Sequence, residues 1–197
     1  MERTAKFMSL SGLSGIGAGI AALVSGTIAA IYLGYINVLD KEQGGVDAQS
    51  VSPEKILFFL ILGTATIVMA IALAYIFTRR IAKKKNLPIR DRTVKLVTVS
   101  MLIPLITGGL FILALVFKFR IFGLVAPSTL IFYGLALVNA GKYTVSYTYW
   151  LGLAEIAVGF ISILFYGFGL IFWMLGFGVF HLIYGTLLYF KFERSKQ

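Results

Sequence analysis

Residues 150–190 read WLGLAEIAVGFISILFYGFGLIFWMLGFGVFHLIYGTLLYF, two apolar runs folded about the turn Tyr166-Gly167-Phe168-Gly169. Each run is about 20 residues long, enough for a helix to cross the hydrocarbon core of a bilayer. Each also carries one ionisable residue that a bilayer disfavours, Glu155 in the first and His181 in the second. Both residues lie 13 positions from Phe168, so an antiparallel helical hairpin centred there sets them at one depth. The flanking glycines share this symmetry: Gly152-x-x-Glu155-x-x-x-Gly159 and Gly178-x-x-His181-x-x-x-Gly185 have the same spacing. Small residues at helical spacing let backbones approach closely. The pattern therefore predicts that the glycine faces of the two helices meet, with Glu155 and His181 between them.

Outward from this hairpin the chain is apolar throughout. Its 197 residues are 59% hydrophobic and contain no cysteine, and mean hydropathy is +0.92. This composition excludes a soluble domain as the main body and removes disulfides, thiolate chemistry and cysteine metal sites. The expected fold is all-α, a single polytopic domain of six transmembrane helices over about 8–35, 55–78, 96–117, 121–139, 146–165 and 170–190. The first run reads as an uncleaved span, because further spans follow it. Gly15-x-x-x-Gly19 within it is a helix-packing notch. Ser52-Pro53-Glu54 reads as N-cap, first-turn proline and first-turn acid, opening the second helix. Pro88 places a loop in the basic segment 79–95, and Pro104 frees a carbonyl of the third span and can kink it, with neighbouring helices or Thr107 satisfying the gap. No internal repeat is visible, since the polar loop at 36–54 has no counterpart in the second half.

Charge placement sets the orientation. With six spans both termini share a side, and that side collects 14 of the 18 Lys and Arg residues. Cytoplasmic loops retain basic residues, so both termini are expected in the cytoplasm and the protein in a cell (inner) membrane. Lys118 and Arg120 fall on the other side, where their long stems can snorkel to headgroups. The cluster Arg79, Arg80, Lys83, Lys84 and Lys85 serves first as a topology signal, and anionic lipid headgroups are the partner it fits. No aromatic or glycine pattern of a nucleic-acid-binding module accompanies it.

Tyr133 in the fourth span lies nearly level with Glu155 when the chain reverses about Tyr143-Thr144, which predicts a Tyr133, Glu155, His181 cluster. One histidine and one nearby carboxylate cannot supply the three ligands of a catalytic metal, so no metal or cofactor is expected. The cluster points to a polar site that binds or moves a small solute or lipid, with Glu155 as its acid and His181 as proton partner. The alternative is a non-catalytic membrane subunit or scaffold, in which the pair fixes packing. Its membrane-protein partner, or a second copy of the chain, would then bind through lipid-facing helices or the basic loop.

Gly12-Leu13-Ser14-Gly15 resembles the G-x-S-G nucleophile string of rhomboid intramembrane proteases, which implies a serine paired with a histidine on a late helix. Here the string stands in the first span, and His181-Leu182-Ile183-Tyr184-Gly185 has tyrosine where that family has a small residue. A hydrolase therefore ranks last and no enzymatic activity is expected. The opening Met1–Gly12, the Tyr133–Glu155 region and the Gly169–Gly185 run resemble uncharacterised six-span bacterial membrane proteins. That resemblance implies the architecture and no activity.

Overall fold

The computed structural model describes residues 12–34, 52–84 and 92–194. Six helices among them are long and apolar enough to cross a membrane. The chain is a multi-pass membrane protein. Helix α1 is Gly12–Leu33, α2 is Pro53–Lys84, and α3 is Arg92–Leu113 continued by a π-helical turn, Ala114–Phe119. A 3₁₀ turn, Phe122–Leu124, leads into α4, Val125–Gly141, and α5 is Ser146–Leu164. The sixth span, α6, has four consecutive parts: α-helical Gly169–Trp173, π-helical Met174–Phe180, α-helical His181–Leu188 and π-helical Tyr189–Arg194. The expected ends of the first span, near 8 and 35, lie outside the described residues.

Local chemistry accounts for most helix ends. The Lys55 amide donates to Ser52 Oγ at 3.4 Å, so the serine covers an amide that the first turn leaves without a helical partner. The helix then runs on through Arg79 and Arg80 to Lys84, six residues beyond the predicted end at 78. Lysine and arginine are good helix formers, and the constraint that Pro88 imposes reaches only the residue just before it. Helix α3 continues through Pro104, and the Thr107 hydroxyl donates to the Ile103 carbonyl at 2.9 Å. Thr107 therefore does not reach the Ser100 carbonyl that the proline leaves without its amide. Between α3 and α4 the chain reverses at Arg120, whose left-handed φ of 56° allows the Ile121 amide to donate back to the Leu115 carbonyl at 2.9 Å.

The helices do not pack in chain order. Helix α2 lies on α1, α1 lies on α6, α6 adjoins α4, and α4 packs against both α5 and α3. Helix α5 rests mainly on α4 and reaches α6 through few contacts. The predicted meeting of glycine faces within the α5–α6 hairpin is therefore corrected. Gly152 and Gly159 are notches for α4: a Cβ on Gly152 would lie 2.7 Å from the Gly134 carbonyl oxygen, and one on Gly159 would lie 2.7 Å from Ile131 Cγ1. Gly178 and Gly185 are notches for α1, the former filled by the Leu23 side chain and the latter lying against Gly12 and Ile16. Gly15 and Gly19 complete that crossing, where an added Cβ would come within 3.0 Å of Gly185 Cα and 2.9 Å of the Gly178 carbonyl oxygen respectively. A notch without a side chain accepts any helix backbone of suitable tilt, so glycine spacing marks a close crossing without naming the partner.

The glycines outside these crossings give a direct comparison. Gly63 on α2 and Gly109 on α3 have open space where a Cβ would stand. Gly185→Val should lower stability by about 3 kcal/mol, the upper range for overpacking a tight contact, whereas Gly63→Ala and Gly109→Ala should change it by less than about 1 kcal/mol. Thermal unfolding of the detergent-solubilised variants measures both.

Candidate functional site

Glu155 is the tenth of the 19 residues of α5. At 1.5 Å per residue it stands roughly 13 to 14 Å from either end, near the middle of the hydrocarbon core. Its side chain is 0% exposed, and His181 on α6 is 4% exposed. Glu155 Oε1 lies 3.3 Å from His181 Nδ1. Depth was legible from counting residues, and the structure adds the helix rotation that brings the two groups together.

His181 is held at both ring nitrogens. Nδ1 is 3.2 Å from the Gly176 carbonyl oxygen, and Nε2 is 2.9 Å from the Tyr133 hydroxyl. With the ring proton on Nδ1, the imidazole donates to Gly176 and accepts from the Tyr133 phenol. With both nitrogens protonated it donates to each, and Nδ1–H also faces the Glu155 carboxylate. A carboxylic acid beside an imidazole and a carboxylate beside an imidazolium have the same net charge. Both states keep net charge out of the apolar core, and because Nδ1 already holds its proton toward Gly176, a second ring proton has to arrive at Nε2, on the Tyr133 side.

The Glu155 carboxylate is the unsaturated member. Neither oxygen has a hydrogen-bond partner among the described residues, and the 3.3 Å approach of Nδ1 is shared with the Gly176 carbonyl. Gly176 is what allows the carboxylate to sit there, since an added Cβ would collide with Glu155 Oε2. The composition pattern around Glu155 and His181 did not single out this glycine, because it lies outside the repeated glycine spacing. It belongs to the π-helical stretch Met174–Phe180, and π-helical turns inside α-helices occur frequently at functional sites.

Aromatic rings close the opposite side of the imidazole. The Tyr133 and Phe177 centroids are 4.9 Å apart, Tyr133 and His181 are 5.4 Å apart, and Phe177 and His181 are 6.0 Å apart. One turn further along, Tyr184 shares a 2.9 Å hydrogen bond with Thr148, a residue that is 0% exposed. The sequence signal for this second pair is spacing: Thr148 precedes Glu155 by seven residues and Tyr184 follows His181 by three, so each shares a face with its neighbour. Tyr147 receives a 2.7 Å hydrogen bond from Lys191 Nζ at the end of the bundle.

The other predicted residues are placed as follows. Arg79, Arg80 and Lys83 are exposed at the end of α2, Lys84 closes that helix, and Lys85 lies outside the described residues. The Arg79 guanidinium carbon stands 5.9 Å from the Tyr75 ring centroid, an arrangement suited to the headgroup region. Ser14 is buried on α1, while both nitrogens of His181 face Tyr133, Gly176 and Glu155. Among the described residues no three His, Asp or Glu side chains converge on a point. No protein-family model, curated protein or solved structure matches the chain.

If Glu155 and His181 interact directly, their effects on stability are not additive. Glu155→Gln and His181→Gln, singly and together, should give a coupling energy of about 0.5–3 kcal/mol. Tyr133→Phe, which keeps the ring and removes the bond to Nε2, should cost about 1 kcal/mol. Both are read from unfolding midpoints in detergent, and strict additivity would remove the direct interaction.

Proposed function

We propose that this protein is a multi-pass protein of the inner membrane, with both termini cytoplasmic, that binds and releases a proton at the Glu155–His181 pair as it binds or moves a small solute or lipid. The observation that supports this reading is the fully buried carboxylate at mid-membrane depth, both oxygens without hydrogen bonds among the described residues, 3.3 Å from an imidazole nitrogen. A buried polar group without partners costs about 1–3 kcal/mol, more if charged. Replacing a buried ion pair with well-packed apolar residues is often neutral or stabilising. A pair retained only for packing is therefore expected to be either fully bonded or apolar, whereas Glu155 keeps capacity for a proton or a ligand. His181 of α6 faces it at 3.3 Å, and Tyr133 of α4 bonds the other nitrogen of that ring. Glu155 and His181 are both buried in this conformation. Passage then requires α6 to shift, and the π-helical Met174–Phe180 stretch is its least regular part.

A second reading, the non-catalytic subunit or scaffold, is favoured by that same burial, with the pair acting as a pin between α5 and α6. An enzyme has less support, because a serine nucleophile needs a free imidazole nitrogen, and both positions on His181 are taken up by Tyr133, Gly176 and Glu155. The basic end of α2 fits anionic lipid headgroups.

Protonation of Glu155 separates the two main readings. Dicyclohexylcarbodiimide, an apolar reagent that couples to protonated carboxyl groups within bilayers, should label Glu155 in reconstituted vesicles and leave Glu155→Gln unlabelled. Difference infrared spectra after an acid jump should gain a carboxylic-acid band that Glu155→Gln lacks. A folded protein with neither signal would favour the scaffold.

A further inference from the structure

With its ring proton on Nδ1, His181 has two acceptors at nearly equal range: the Gly176 carbonyl oxygen at 3.2 Å and Glu155 Oε1 at 3.3 Å. One N–H serves one of them well, because a hydrogen bond weakens steeply as it bends. The Gly176 carbonyl is neutral in every state. Glu155 is neutral as an acid and charged as a carboxylate, and a charge-assisted hydrogen bond is roughly twice as strong as a neutral one. In this structure the bond goes to Gly176, and Glu155 has no hydrogen bond among the described residues. That is the arrangement a neutral Glu155 produces.

Gly176 touches both members of the pair. Its carbonyl holds the imidazole, and its missing side chain leaves room for Glu155 Oε2, with which an added Cβ would collide. It lies inside the π-helical stretch Met174–Phe180, five residues before the ring that binds it. The His181 amide is engaged elsewhere, donating to the Gly178 carbonyl. The imidazole therefore fastens an irregular turn through a side chain. In a regular α-helical turn the partner of that carbonyl would be the Phe180 amide, four residues on.

We infer that the charge on Glu155 selects the acceptor of His181 Nδ1–H, so that ionisation of Glu155 moves this bond from Gly176 to the carboxylate and releases the π-helical stretch of α6. This rests on the proton binding proposed for Glu155 and couples it to movement of a helix. Nδ1 keeps its proton throughout, so the exchange makes and breaks hydrogen bonds only. While Glu155 is neutral, the carbonyl is bonded and the turn is held. Once Glu155 ionises, the stronger charge-assisted bond favours the carboxylate by at least about fivefold. A buried carbonyl without a donor is costly, and Gly176 recovers a bond by closing an α-helical turn onto Phe180. Linkage is reciprocal, so a ligand that prefers one form of the turn also biases the proton on Glu155.

The ionisable groups on the helices around the pair are placed as follows. Tyr133 of α4 bonds Nε2, and Tyr184 of α6, one turn beyond His181, is bonded to Thr148. Tyr147 at the start of α5 accepts from Lys191 near the end of α6. Helix α1, packed behind α6, has no titratable side chain except Tyr32, which stacks on Phe58 of α2.

The sequence makes the exchange directly observable. The chain has one histidine, so ¹⁵N-histidine reports a single imidazole. With ¹³C in glycine carbonyls and ¹⁵N in phenylalanine, three bonds give carbonyl–nitrogen correlations: Gly159–Phe160, Gly167–Phe168 and Gly176–Phe177. The signal that moves in His181→Phe is that of Gly176. Solid-state NMR in vesicles follows these signals, and infrared spectra of the same samples follow the Glu155 carboxyl group. As rising pH ionises Glu155, the Gly176 resonance should shift while Nδ1 remains protonated. In Glu155→Gln, which stays neutral, the Gly176 resonance should hold still. Should that variant not assemble, Glu155→Asp serves: it can ionise, but its carboxylate is one methylene further from Nδ1, and the Gly176 resonance should again hold still. A fixed Gly176 resonance while wild-type Glu155 ionises would overturn the switch and leave the proton site standing. A shift of equal size in Glu155→Gln, or loss of the Nδ1 proton, also overturns it. The absence of a Glu155 carboxylate band at every pH removes the proton site itself, and the switch with it.

Discussion

A carboxyl group at the centre of a bilayer must be covered by protein and kept from carrying net charge alone, and the arrangement of this bundle follows from how Glu155 meets that requirement. Its counterpart His181 is on the adjacent helix in sequence, yet α5 and α6 do not form a tight hairpin along their length. Each is clamped from its other side, α5 by α4 at Gly152 and Gly159, α6 by α1 at Gly178 and Gly185. The glycines draw the outer pairs together at backbone distance and leave the α5–α6 boundary to polar side chains. Tyr133 links the third wall, so α4, α5 and α6 each contribute one group to a single chain of contacts.

Lipid tails are as apolar as leucine, so burying more leucine does not hold such helices together. Close backbone packing does, which is why the buried parts of α1, α4, α5 and α6 are rich in glycine, alanine and serine while large apolar residues face outward. Helices α2 and α3 follow the opposite rule. They pack mainly on one neighbour each, α1 and α4, and present mostly large side chains to the surroundings. Among the described residues the buried polar side chains belong to α1, α4, α5, α6 and the α4–α5 turn, and on α5 two-turn spacing keeps Thr148, Glu155 and Ser162 on one face. The π-helical stretch of α6 then brings Gly176 beneath the carboxylate and its carbonyl to His181 Nδ1. Any motion that opens the site has to rearrange this segment, because its atoms touch both members of the pair.

Residue counting made the six spans, the Ser52 cap and the common depth of Glu155 and His181 legible, because the rise of a helix is constant and the turns are short. The extension of α2 to Lys84 was not legible, since a basic loop and a basic helix end have the same composition. Tyr133 could be assigned a depth but not a partner. Gly176 lay hidden among 21 glycines, and only its position under the carboxylate distinguishes it.

The sequence by itself determined that this protein crosses a membrane several times and that one acid and one imidazole sit level within it. Those are consequences of hydropathy and helical rise, both local properties. Tertiary structure alone decided which helices those residues bridge, which partner each glycine notch receives, and which hydroxyls are left unbonded. Rotation about a helix axis is set by contacts between segments distant in the chain, and a pattern of small residues accepts several such contacts equally well.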